Sequence, residues 1–135
     1  MALTHDYTIV CEMVRPEMGG KFVIVGLFPN GIGTPVVPFP MPLLTFFTLM
    51  KADAPGTYNY SGKLSPLATG REISPIVRGV IQAPAVGPAI LVHQIMSPQF
   101  TAFGTHTWEV EIEGQEPFVT QFEVTRVAPQ QIRVR

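Results

Sequence analysis

Apolar and polar residues alternate with a period of two along much of this chain, and the alternation is cleanest near its end. Trp108, Val110 and Ile112 are separated by Glu109, Glu111 and Glu113, the pattern of a strand with one buried face and one wet face. Gly114-Gln115-Glu116-Pro117 reads as a turn, after which Phe118, Thr120, Phe122 and Val124 alternate with mostly polar partners, so the two runs predict a hairpin. A second hairpin is predicted from residues 7–14 and 21–28. Both runs are rich in β-branched and aromatic residues, and Arg15-Pro16-Glu17-Met18-Gly19-Gly20 joins them. The stretch 22–28 is apolar on both faces, which predicts a central strand covered on both sides.

Further strands are expected at 43–51, 57–64, 72–82 and 89–96, and the prolines of Ala83-Pro84-Ala85-Val86-Gly87-Pro88 forbid regular ladder pairing between the last two. No window holds a sustained helical stripe with caps at both ends. Seven to nine short strands at this spacing predict an all-β chain forming one domain over 1–135. The expected arrangement is an antiparallel β-sandwich of the immunoglobulin-like or jelly-roll kind, with a closed barrel as the alternative. The tail 130–135 alternates like an edge strand that closes its own sheet or pairs with a neighbour's.

The segment 29–42 breaks the pattern. Its prolines hold an extended path while Val36, Val37, Phe39 and Met41 concentrate apolar area too large for a solvated tether. Two readings stand. The segment crosses from one sheet to the other and covers the open end of the core, or Val36, Val37, Phe39 and Met41 form a partner-binding surface.

The run Cys11-Glu12-Met13-Val14 through Gly20-Lys21-Phe22-Val23-Ile24-Val25-Gly26-Leu27-Phe28, with Gly31-Ile32 beyond, resembles the opening of a family of small uncharacterised bacterial β-sandwich proteins. Gly104-Thr105-His106-Thr107-Trp108-Glu109-Val110 has the Gly-x-x-x-aromatic-x-aliphatic form shared by many immunoglobulin-like domains. The resemblance implies a sandwich fold and brings no catalytic residue with it.

Composition then shifts the picture from catalysis toward association. Only 14% of residues are charged against 46% hydrophobic, with 14 prolines and a mean hydropathy of +0.26, where an ordinary domain has about a quarter charged. A surface so poor in charge favours contact with partners. The formal net charge of −1 and the scattered cations, apart from Arg126, Arg133 and Arg135, argue against nucleic acid. No apolar run approaches the ~18 residues of a membrane span. The start has no secretory pattern, so the expected location is the cytoplasm, or a virion if the chain is phage-encoded. Cys11, the single cysteine, lies in an apolar run and reads as a small core residue.

Residues suited to chemistry are sparse. His5, His93 and His106 fall on three different segments without metal-ligand spacing. Gly19-Gly20-Lys21 lacks the spacing and the helix of a phosphate loop, and no serine stands in a nucleophile elbow. Glu109, Glu111, Glu113, Glu116 and Glu123 read as a solvated face, with a docking surface as the next reading. No catalytic, metal or cofactor site is expected. The expected function is a non-enzymatic structural or protein-interaction module, assembling with itself as a homo-oligomer or with a larger complex. The alternative is a small-molecule or glycan-binding module using Trp108, Tyr58 and Tyr60 as a stacking platform.

Overall fold

A computed structural model describes residues 2–128 of the chain, and among these it is all-β, with no helix. The strands in chain order are β1 (Leu3–Pro16), β2 (Phe22–Leu27), β3 (Ile32–Thr34), β4 (Phe39–Pro40), β5 (Leu43–Ala52), β6 (Gly56–Pro66), β7 (Val77–Ala83), β8 (Gly87–Met96), β9 (Gln99–Phe100), β10 (Gly104–Ile112) and β11 (Phe118–Arg126). They form a four-stranded sheet in the order β2-β1-β5-β8, a five-stranded sheet in the order β3-β11-β10-β6-β7, and a small β4-β9 ribbon. The expected edge strand at 130–135 lies outside the described residues.

Both expected hairpins form. β10 and β11 pair antiparallel, with Trp108 opposite Thr120 and Val110 opposite Phe118, and β1 pairs with β2 from Cys11↔Leu27 to Pro16↔Phe22. Among the named strands of the described residues, one pairing departs from an all-antiparallel arrangement: β3 runs parallel to β11, with Val124 opposite Ile32. The segment 29–42 does cross from the first sheet to the second, and entering beside β11 in the same direction satisfies its backbone without a reversing turn.

One core joins the two large sheets, because alternate residues of both turn toward it. Phe46 of β5 stacks on Trp108 of β10 with ring centroids 4.5 Å apart and planes 3° apart. His93 of β8 packs on the same indole at 5.6 Å and bonds through Nδ1 to the Tyr60 hydroxyl at 2.7 Å, tying β8 to β6 across the core. A second aromatic group places His106 between Phe100 and Phe122. Trp108 is 1% exposed and His106 fully buried. Half-buried His93 and buried His106 thus both pack against core aromatic rings from their sheet strands.

Candidate docking edge and groove

The placement of β2 corrects the central-strand expectation. It is the outermost strand of its sheet, its other edge has no pairing among the described residues, and Phe22, Ile24, Val25 and Leu27 are 37–55% exposed. The reason lies in β1, which pairs with β5 only as far as Cys11↔Thr45 and continues with β2 alone. The β1-β2 ribbon curls onto the outer face of β5. There Val14 joins Cys11 and Phe47 in a second small core flanked by Ile9 and Val92. Phe22 meets Phe47 edge-on at 5.4 Å, and Gln94 Nε2 donates to the Val14 carbonyl at 3.4 Å. Cys11 and Val14 sit at odd spacing yet share one cluster, so strict alternation breaks between them. Gly26, on the facing strand, has φ +67°, a left-handed conformation that glycine adopts readily.

The other side of the ribbon forms one wall of an apolar groove of about 380 Å³. Met13 and Val25 come from the ribbon, Phe28 from the residue that follows β2, Ile32 from β3 in the crossing segment, and Phe39 and Met41 from the β4 region. The far wall is fixed in place. Phe39 pairs with Phe100, Met41 N donates to the Pro98 carbonyl at 3.0 Å, and Ser97 N donates to the Pro42 carbonyl at 3.1 Å. Among the described residues the only ionisable side chain lining the groove is Glu12.

The four partner-binding residues expected from the sequence are therefore divided. Phe39 and Met41 line the groove, Met41 being 7% exposed and shared with the core. Val37 is half-buried and Val36 is 56% exposed, and neither lines the groove. The sequence reading missed Met13, Val25, Phe28 and Ile32. For Val25 and Phe28 the one signal is the run 22–28, apolar on both faces, which reads as burial; Met13 and Ile32 lie outside that run.

The alternative stacking platform does not form: Trp108 and Tyr60 are buried and Tyr58 is half-buried against the core. Glu109 faces Lys63 across the β10-β6 pair, and Glu113 accepts from Asn59 Nδ2 at 2.9 Å. Glu123 accepts from the Thr105 hydroxyl. Among the described residues no three His, Cys, Asp or Glu side chains group at metal-binding range. Burial lowers the pKa of His93 and of His106, and it raises that of Cys11, which is fully buried. His106 Nδ1 donates to the Gly104 carbonyl at 3.0 Å, and among the described residues its Nε2, Trp108 Nε1 and Thr120 Oγ1 have no hydrogen-bond partner.

Residues 6–125, which hold the whole ribbon and groove, match a family of unknown function, DUF6941. The chain belongs to this family. No curated protein matches it. Among solved structures it is similar to the Pseudomonas fluorescens alkylpurine DNA glycosylase AlkC bound to DNA containing an abasic site analog. The identity is 13% and the TM-score 0.48, and the match covers 91% of this DUF6941 chain and 30% of that one. That neighbour is bound to DNA, and the exclusion of nucleic acid from this chain's partners, which rested on net charge, is withdrawn. A formal charge of −1 is a sum over the chain and does not decide where individual arginines and lysines stand.

Proposed function

We propose that this DUF6941 chain is a non-enzymatic interaction module, an immunoglobulin-like β-sandwich that takes an extended segment of another protein along the open edge of β2. The observation that carries the reading is the uncharged edge strand Phe22–Leu27, whose outer side has no pairing among the described residues, beside an apolar groove. Natural sheets blunt such edges with charge, proline or a cover, because unpaired strand backbone recruits other strands. Here the six residues of β2 contain neither a charged residue nor a proline. Strand addition satisfies the edge backbone, while alternate side chains of the incoming strand reach the groove. A place within a larger complex fits the charge-poor surface.

The test is fluorescence anisotropy with a labelled hexapeptide of alternating valine and leucine carrying one lysine, titrated with the wild-type chain and with Ile24→Lys. Ile24 is 38% exposed, so the variant should melt close to wild type, within the roughly 0.5 kcal/mol of surface changes. Binding should fall at least about ten-fold, because an edge lysine opposes strand pairing. Equal binding by the variant refutes edge docking. Saturable binding of a labelled oligonucleotide that Ile24→Lys leaves intact, with no peptide binding, moves the function to nucleic acid.

A further inference from the structure

Glu12 stands on β1, one strand in from the open edge, yet its side chain lies over the edge strand itself. A Cβ built on Gly26 of β2 would meet Glu12 Cδ and Cγ at 2.7 Å and Oε1 at 2.9 Å. The missing side chain at Gly26 is what lets this carboxylate reach outward across β2. Among the described residues the one ion pair is Arg15 with Glu17, so Glu12 has no cationic partner of its own. It is exposed and, among the described residues, is the single ionisable group lining the groove.

We infer that the groove selects an extended segment of a different protein in which a lysine or arginine accompanies an apolar anchor, the cation meeting Glu12 over Gly26. This rests on the edge-docking reading. The open edge calls for extended backbone, and six residues of β2 offer about 20 Å of pairing. A strand laid against β2 places alternate side chains on the face that Val25 shares with the groove, where Phe39 and Met41 supply the seat for a large apolar residue. Opposite Gly26 no Cβ stands between the incoming residue and the Glu12 carboxylate. Charge at this spot therefore acts on the occupant more than on the fold, and it sets which segments enter rather than how tightly all of them bind.

The experiment compares three hexapeptides of alternating valine and leucine that differ only at one position, occupied by lysine, glutamine or glutamate. Each is titrated against the wild-type chain, Glu12→Gln and Glu12→Lys at low and physiological salt. The wild type should bind the lysine peptide about three-fold better than the glutamine peptide at physiological salt, the scale of a solvent-screened pair, and by more at low salt. Glu12→Gln should erase the preference, and Glu12→Lys should reverse it in favour of the glutamate peptide. Circular dichroism of the three chains should be superimposable. Equal binding of all three peptides by the wild type, abolished by Ile24→Lys, overturns this inference and leaves edge docking standing. No binding of any peptide overturns both. A concentration-dependent dimer in light scattering that Ile24→Lys dissociates puts a second copy on the edge and also overturns the inference.

Discussion

Gly62 is the seat of the core tryptophan, and Gly62→Ala tests the packing on which the two sheets depend. A Cβ at Gly62 would stand 2.3 Å from Trp108 Cη2, 2.7 Å from Cζ2 and 3.0 Å from Cζ3, where carbon atoms favour about 3.5–4.0 Å. The indole has little room to retreat, since Phe46 lies flat against it at 4.5 Å and His93 stands at 5.6 Å. Overpacking of this kind costs about 1–3 kcal/mol, and at about 3–5 °C per kcal/mol for a domain of this size the melting temperature should fall by roughly 3–15 °C. Trp108→Phe shortens the ring at the point of contact. In that background Gly62→Ala should cost less, giving a coupling of about 1–2 kcal/mol in a double-mutant cycle. Urea denaturation followed by circular dichroism supplies all four stabilities. A neutral Gly62→Ala, or costs that simply add, would refute the claim that this glycine exists to accommodate Trp108.

Met41→Ala should destabilise by about 2–5 kcal/mol because Met41 is 7% exposed, whereas Val36→Ser, at a site 56% exposed, should stay within about 0.5 kcal/mol; thermal melts of the two variants separate the parts of the crossing segment. Burial lowers the pKa of His93 and His106 below the usual 6.5, so the unfolded chain takes up protons first as pH falls. The melting temperature should therefore be full above pH 6.5 and decline as pH drops through the folded-state values, and His106→Phe should flatten the decline measured between pH 7.5 and 5.5. Cys11 is fully buried and its thiol is pushed up by burial, so a thiol reagent should label it only as fast as the fold opens, and slowly even at pH 8.

The β10-β11 hairpin was legible because one of its faces is wet: the glutamates between Trp108, Val110 and Ile112 report the pleat directly. The position of β2 was not, because its run is apolar for two separate reasons. Phe22 covers Phe47 on the outer face of β5, and Val25 lines the groove. A strand apolar on both sides ordinarily sits mid-sheet, and only the curl of the ribbon lets it sit at an edge. The prolines of 29–42 likewise hid β3, whose pairing with β11 spans about ninety residues of sequence and leaves no local signal. Phe39 and Met41 were singled out for their apolar character, but Glu12 became visible as part of a site only when Gly26 was found beneath it. The interior roles of His93 and His106 depend on Tyr60 and Phe100, which other strands supply.

Hydrogen exchange across β2 tests the docking account most directly. In the free chain, the amides of 22–27 that face the open edge should exchange much faster than those of β5, which has paired neighbours on both sides. Saturation with the lysine-bearing hexapeptide should slow exchange in 22–27 by about ten-fold or more while leaving β7 and β8 unchanged, as backbone pairing along one edge requires. If 22–27 is already as protected as β5 in the free chain, or if the peptide shields β7 or β8 instead, the open edge is not the binding element and the account fails.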